Sequence, residues 1–202
     1  MHKETLEMYM KTDMNALEVQ IALQCAPVLA KAKVSNLLIL RGNELPPAAA
    51  LLRRLGVCFY VLRQKNDMAA FLVYSGRGLV EYLQRAEVEH LLGRCGYASI
   101  RLGTALPRLA LRYEACLEKR EGFPHEIGLF LGYPVDDVEG FIKNGGRNYL
   151  YAGYWKVYSH VEEKKILFSR YNAVIYWFLT VLARGGNLEE CIQERKTIWQ
   201  KQ

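Results

Sequence analysis

The chain has 202 residues, a formal net charge of +6 and 51% hydrophobic residues. A chain of this length and apolar content can bury a substantial core, which excludes wholesale disorder. The charge excess permits nucleic-acid binding without indicating it, and the polar start MHKETLEMYMKTD predicts no signal peptide.

The first half predicts helices and strands in alternation. A helix is predicted from Asn15 to about Lys33, and Pro27 is expected to kink or split it. The next segments predict a strand, a helix, two strands joined by a KND hairpin turn, and an amphipathic helical stretch in one or two pieces: NLLILR, LPPAAALLRRLG, VCFYVLRQ, AAFLVYS and GLVEYLQRAEVEHLLGRCG. This order is that of a ferredoxin-like split β-α-β unit, which would be two-layered with its helices on one face.

The second half predicts mainly helix. One helix is predicted over 104–120, and a long one from Glu162 to Ala183. Arg170 and Asn172 interrupt the apolar run of the long helix, so we interpret it as a buried helix and not as a membrane span. GYWKVYS, at 153–159, predicts a further strand, and Asn187 with its acidic neighbour three residues on predicts the cap of a last helix.

Together these segments predict an α+β protein with a small mixed or antiparallel sheet and a predominantly helical C-terminal half. We expect one domain over 1–202, with an α/β half at 1–100 and a mainly helical half at 101–202 packed on it. The chain has five cysteines, an odd number without a C-x-x-C pair. This pattern argues against a zinc ribbon and a disulfide framework, and it favours a cytoplasmic protein.

The stretch FPHEIGLFLGYPVDDVEGFI has the spacing of a helix-turn-helix. Gly128 stands at the small position of the first helix, Gly132 at the turn, and Val138 on the second helix facing the first. However, the stretch has four acidic residues and no Lys or Arg, which argues against DNA binding. The zinc pattern also fails, because a second His is missing four residues after His125. We therefore expect a helix-turn-helix-like pair that serves packing.

The same stretch, followed by GYWKVY and preceded by LQCAPVLAKAKVSNLL near the start, resembles a protein family. The family is an uncharacterised bacterial one, domain of unknown function number 3793, found mainly in anaerobic Gram-positive bacteria. The resemblance covers nearly the whole chain and implies a stand-alone, cytoplasmic, single-domain protein. It implies no substrate, cofactor or reaction.

Candidate chemistry centres on a thiol and an imidazole. Cys25 precedes a proline on a helix expected to break, and free N–H groups at a break would stabilise a thiolate. Together with His125, and with Glu126 as the group that orients the imidazole, it predicts a nucleophilic Cys–His site. The same pair could instead ligate haem or iron. The alternative is that Cys25 is a core residue and that Glu126 only complements a helix dipole.

The segment YLYAGYWKVY supplies the remaining candidates. Tyr154 is predicted near the catalytic pocket, and Trp155 and Lys156 are predicted to contact a cofactor of unknown identity. Aromatic and basic residues in alternation can also stack bases of single-stranded nucleic acid, whereas the plainer interpretation is a half-buried strand.

Two functions remain open. The first is a small-molecule or cofactor-handling protein, catalytic or not, with Cys25, His125, Glu126 and Tyr154 at one pocket. The second is a non-catalytic interaction or regulatory module in which the motif only packs two helices. Neither a membrane nor a nucleic-acid partner is expected, no metal ligand set is predicted, and the oligomeric state is left open.

Overall fold

A computed structural model of the protein describes residues 16–120 and 122–199. Its strands are β1 (Ser35–Arg41), β2 (Cys58–Lys65), β3 (Met68–Tyr74), β4 (Tyr151–Ala152) and β5 (Lys156–Val157). Its helices are α1 (Leu17–Leu29), α2 (Leu45–Arg54), α3 (Gly76–Leu83), α4 (Ala86–Arg94), α5 (Leu102–Leu117), α6 (Ile127–Phe130), α7 (Val135–Asn144), α8 (Val161–Ala183) and α9 (Leu188–Trp199). These elements confirm the predicted mixed α+β class. Asn15, the predicted first helical residue, lies outside the described residues, and the single domain over 1–202 stays a prediction.

The main sheet has the order β1–β3–β2, and β3 is antiparallel to both neighbours. β1 and β2 therefore run parallel with β3 inserted between them, which is the split β-α-β arrangement that the sequence predicts. Asn66 and Asp67 form the β2–β3 turn with φ of 52° and 60°. Both angles suit a tight hairpin whose twist matches that of its strands, so the KND turn is confirmed.

Helices cover both faces of this sheet, so the expectation of helices on one face is wrong. Phe71 and Val73 of β3 belong to one core, with α1, α2 and α8. Ala70 and Leu72 belong to a second core, with α3, α4, α5 and α6. A central strand with both faces buried has a continuous apolar run instead of alternation, as AAFLV shows.

GYWKVYS does not extend the main sheet. Its strand residues form β5, which pairs with β4 in a separate two-stranded hairpin. Trp155 and Val157 are buried on one side of this hairpin, whereas Tyr154, Lys156 and Tyr158 are half-buried. The alternation of buried and half-buried side chains that is expected of a half-buried strand is therefore present, but it occurs in this hairpin and not in the main sheet.

Helix α8 packs along α1 through a face that includes Val174, Phe178 and Leu179. By length and composition alone it could cross a membrane, and 33% of its most apolar window is buried in the fold. The prediction of a buried helix thus holds for one face, while Ile166 near its start is 57% exposed. The absence of a membrane partner stays a prediction.

The outer edge of β1 is covered by a side chain of α1. The Ile39 N–H donates to Gln24 Oε1 at 2.9 Å, and Gln24 Nε2 donates to the Ile39 carbonyl at 3.1 Å. The side-chain amide thus takes the place of a neighbouring strand at this edge.

A buried lysine follows α1. Lys33 is 6% exposed; its ammonium donates to Asn36 Oδ1 at 2.5 Å and lies 5.0 Å from the centre of the Tyr133 ring. Burial lowers the pKa of Lys33 to about 7. At neutral pH the folded protein therefore holds this amine partly uncharged, whereas the unfolded chain holds it fully charged.

We expect Lys33 to make stability rise with pH between 7 and 9, since there the unfolded chain binds a proton that the folded protein releases. Lys33→Met removes this linkage. The free energy of unfolding of the wild type should rise by roughly 2 kcal/mol relative to that of Lys33→Met as the pH increases from 7 to 9. Urea denaturation at each pH measures it, with the exposed Lys143→Met as control. Parallel pH profiles for the wild type and Lys33→Met would contradict the expectation.

Candidate functional site

Two glycines at α6 permit close packing, Gly128 against α7 and Gly132 against Val34, which precedes β1. A Cβ on Gly128 would lie 2.9 Å from Val138 Cγ2, and one on Gly132 would lie 2.3 Å from Val34 Cγ2. Gly132 also has φ of +70°, which disfavours any residue with a side chain. The predicted tight pair of short helices is confirmed, with glycine at both close approaches.

The acids that begin α7 anchor the β4–β5 hairpin. Asp137 is 2% exposed; its Oδ2 accepts the Trp155 indole N–H at 2.7 Å and its Oδ1 accepts the Tyr158 backbone N–H at 2.7 Å. Asp136 binds the Lys164 ammonium at 2.8 Å and the Ser159 hydroxyl. These two acids therefore join α7 to the hairpin and to α8.

Aromatic rings fix the hairpin from its other side. Trp155 stacks on Tyr133 with ring centres 4.7 Å apart and meets Phe168 edge-on at 4.5 Å. A Cβ on Gly153 would lie 2.3 Å from Phe168, so the hairpin reaches this position only with glycine. Trp155 is thus fixed by its hydrogen bond to Asp137 and by contacts with the rings of Tyr133 and Phe168.

A cavity of about 300 Å³ lies between the helix pair and the hairpin. Its lining is mostly apolar and aromatic: Phe123, His125, Ile127, Gly128, Leu131, Tyr133, Asp137, Val138, Phe141, Tyr154, Trp155 and Lys156. Four predicted site residues therefore share one cavity, namely His125, Tyr154, Trp155 and Lys156.

His125 brings a polar atom into this apolar lining. Its ring centre lies 5.0 Å from that of Phe141 and 5.6 Å from that of Phe123. Its Nδ1 is buried and has no hydrogen-bond partner among the described residues. Buried polar atoms in folded proteins are nearly always paired, so this nitrogen is an exception at the place where a ligand would fit.

Lys156 is the cation of the cavity. Its ammonium donates to the Gly146 carbonyl at 2.7 Å and lies 4.9 and 5.6 Å from the ring centres of Tyr149 and Phe141. Tyr154 contacts α8, where its hydroxyl donates to Asn172 Oδ1 at 2.9 Å in an exposed hydrogen bond. The cavity thus offers an imidazole and an ammonium in an aromatic wall.

Glu126 does not line the cavity. It is 2% exposed, and its Oε1 lies 2.8 Å from Arg112 Nε and 3.2 Å from the Tyr97 hydroxyl. Burial and the Glu126 carboxylate raise the pKa of Tyr97, so the phenol keeps the proton that it donates. Glu126 therefore holds α6 against α5, and the expected role in orienting the imidazole of a pocket is wrong.

Cys25 is not part of the cavity wall. It is fully buried in the core formed with α8 and the sheet. α1 continues through Cys25 to Leu29, so no break frees backbone N–H groups there. Burial raises the pKa of the Cys25 thiol to about 12. The expectation of a Cys25–His125 pair, whether as nucleophile and base or as haem or iron ligands, is therefore wrong.

Three aromatic residues of the cavity are missing from the sequence prediction. Phe123, Tyr133 and Phe141 all belong to the stretch that contains His125, but they lie before α6, between α6 and α7, and on α7, so no single period connects them. The available signal was their number within one short segment. Among the described residues, no group of three or more His, Cys, Asp or Glu side chains could hold a metal ion.

The fold and this site define an α+β protein whose aromatic cavity is enclosed by a glycine-tied helix pair and a small hairpin. Residues 21–192 match the sequence profile of the family described as Protein of unknown function (DUF3793), and the chain belongs to that family. The resemblance inferred from the sequence is thereby confirmed, and all the cavity residues lie within the matched range. No curated protein and no solved structure matches the chain.

Asp137→Asn should lower the free energy of unfolding by about 2 kcal/mol, because an amide NH₂ then faces one of two buried donors. Glu139→Gln is the matched control on the same helix. Its carboxylate pairs with Arg94 and is 47% exposed, so its loss should cost less than about 0.5 kcal/mol. Urea denaturation of both variants measures the difference, and equal effects would show that the Asp137 anchor is not important.

Cys25 should resist alkylation in the folded protein, since it is sealed in the core and its thiol stays protonated. With iodoacetamide at about pH 8, we expect Cys25 to react at least tenfold more slowly than the exposed Cys58. Peptide mass spectrometry over time gives both rates, and the urea-unfolded chain is the control. A Cys25 rate equal to that of Cys58 would restore the reactive-thiol hypothesis.

Proposed function

We propose that the protein binds a small aromatic molecule in the cavity between the helix pair and the hairpin. The observation that carries the proposal is the buried, unpaired Nδ1 of His125 in a mostly apolar wall. Leaving such an atom unpaired costs about 1–3 kcal/mol. A ligand that supplies the missing hydrogen bond recovers this free energy on binding.

The size and lining of the cavity support an aromatic ligand. A volume of about 300 Å³ lies at the lower end of the range for small-molecule sites. An engineered apolar cavity of about 150 Å³ accommodates benzene, so this one has room for two fused rings. The rings of Phe141, Tyr133 and Trp155 offer faces and edges against which such a ligand would pack.

The fixed hairpin further supports the proposal. Trp155 is held by Asp137 and Phe168 and stacks on Tyr133, so contacts within the protein fix this part of the wall. A preformed wall loses little conformational entropy on binding, which favours affinity.

All five cysteines are free thiols in the structure. Free thiols suit a reducing compartment, and this supports our proposal that the protein is cytoplasmic.

A second candidate function is an interaction module without a ligand. One observation favours it: Tyr149, Leu150 and Tyr151, at the start of the hairpin, are 45%, 66% and 38% exposed. In that case the motif residues only fasten the hairpin to the helix pair, and the cavity would bind no small molecule.

Titration with 2-naphthoate and 2-naphthamide, followed by calorimetry and tryptophan fluorescence, tests the proposal. We expect one-to-one saturable binding of at least one compound. His125→Ala should weaken it roughly tenfold, because the hydrogen bond and ring contacts are lost. His90→Ala, which removes an exposed histidine outside the cavity, should leave it unchanged.

Binding of neither compound, or equal binding by His125→Ala, would contradict the proposal and favour the interaction module. Circular dichroism and urea denaturation establish that the variants are folded.

A further inference from the structure

We infer that the ligand is an aromatic acid, an organic anion whose carboxylate binds at Lys156 and whose rings fill the cavity. This inference rests on the proposed function and adds the charge of the ligand. It follows from a difference between the two charged residues of the cavity wall: Asp137 already has partners for its charge, whereas Lys156 has no acidic partner among the described residues.

The one carboxylate in the wall is already satisfied. Each oxygen of Asp137 accepts a hydrogen bond at 2.7 Å, from the Trp155 indole and the Tyr158 backbone. Lys164 Nζ also lies 3.7 Å from Asp137 Oδ2. A carboxylate that binds donors with both oxygens and has a cation beside it contributes little negative potential to the cavity.

The one lysine in the wall lacks an acidic partner. Among the described residues, no carboxylate lies within ion-pair distance of Lys156, whose ammonium donates to a single carbonyl, that of Gly146. An ammonium carries three donors, so two remain for an acceptor that enters the cavity. Lys156 is also half-buried, which strengthens its field relative to that of a solvated surface lysine.

The two polar groups of the cavity lie near the same ring. The His125 ring centre and the Lys156 ammonium are 5.0 and 5.6 Å from the centre of the Phe141 ring. A ligand that packs on the Phe141 ring therefore lies near both groups. A carboxylate suits this arrangement because it has two oxygens and accepts hydrogen bonds without donating any.

A cationic ligand fits the same wall less well. Aromatic rings can enclose a cation, but Lys156 already lies near the rings of Phe141 and Tyr149. A second cation would be repelled by it, and the paired Asp137 offers no compensating charge. The electrostatics therefore favour an anion.

Comparison of 2-naphthoate with 2-naphthamide tests the inference, because the two differ little in shape and differ in charge. The wild type should bind the acid about tenfold more tightly than the amide at low ionic strength. Lys156→Met should remove this preference while leaving the affinity for the amide within about twofold. Lys156→Arg should retain the preference, and Lys143→Met controls for the net positive charge of the protein.

Equal affinity of the wild type for acid and amide would overturn the inference and leave the proposed function standing. The same holds if Lys156→Met keeps the preference for the acid. Binding of neither compound would overturn both. If Lys156→Met fails to fold, the affinities of the wild type and of Lys156→Arg for the acid and the amide still test the inference. Both proteins keep a positive charge at this position, so each should prefer the acid.

Discussion

The candidate site depends on one buried carboxylate. Asp137 joins a helix to a hairpin that has only two paired positions of its own, and a ribbon this short is not stable alone. Its two hydrogen bonds, to the Trp155 indole and to the Tyr158 backbone, fix both the side-chain and the main-chain position of the hairpin. The cavity exists because this link holds an aromatic wall at a fixed distance from His125.

The thiol and the ion pair buried in the core are not among the groups that line the cavity. The sheet and its two layers of helices contain Cys25 and the Glu126–Arg112 pair, where burial keeps the thiol protonated and the ion pair fastens α6 to α5. The cavity lies at the margin of that sandwich, among residues that follow residue 122, and it shares Ile127, Leu131 and Val138 with the second core. Residues adjacent in sequence, such as His125 and Glu126, therefore have different roles because they face opposite sides of one short helical turn.

The sequence predicts much of the fold and only part of the site, for physical reasons. Helices and strands follow local periodicity, so the order of elements and the close approach at Gly128 were predictable. The second helical layer was missed because a fully buried strand gives no alternation. The cavity depends on which side of a turn each side chain faces. His125, Trp155 and Lys156 were found from their chemical type, whereas Cys25 was misassigned because spacing cannot distinguish a core thiol from a reactive one.

The Gln24 amide at the margin of β1 has a consequence for assembly. A strand from a second molecule could join the sheet on that side only after displacing this side chain from both backbone groups of Ile39. The displaced amide would then need new partners, which opposes such growth. A single glutamine thus protects one border of the sheet against uncontrolled polymerisation, without requiring a charge or a proline there.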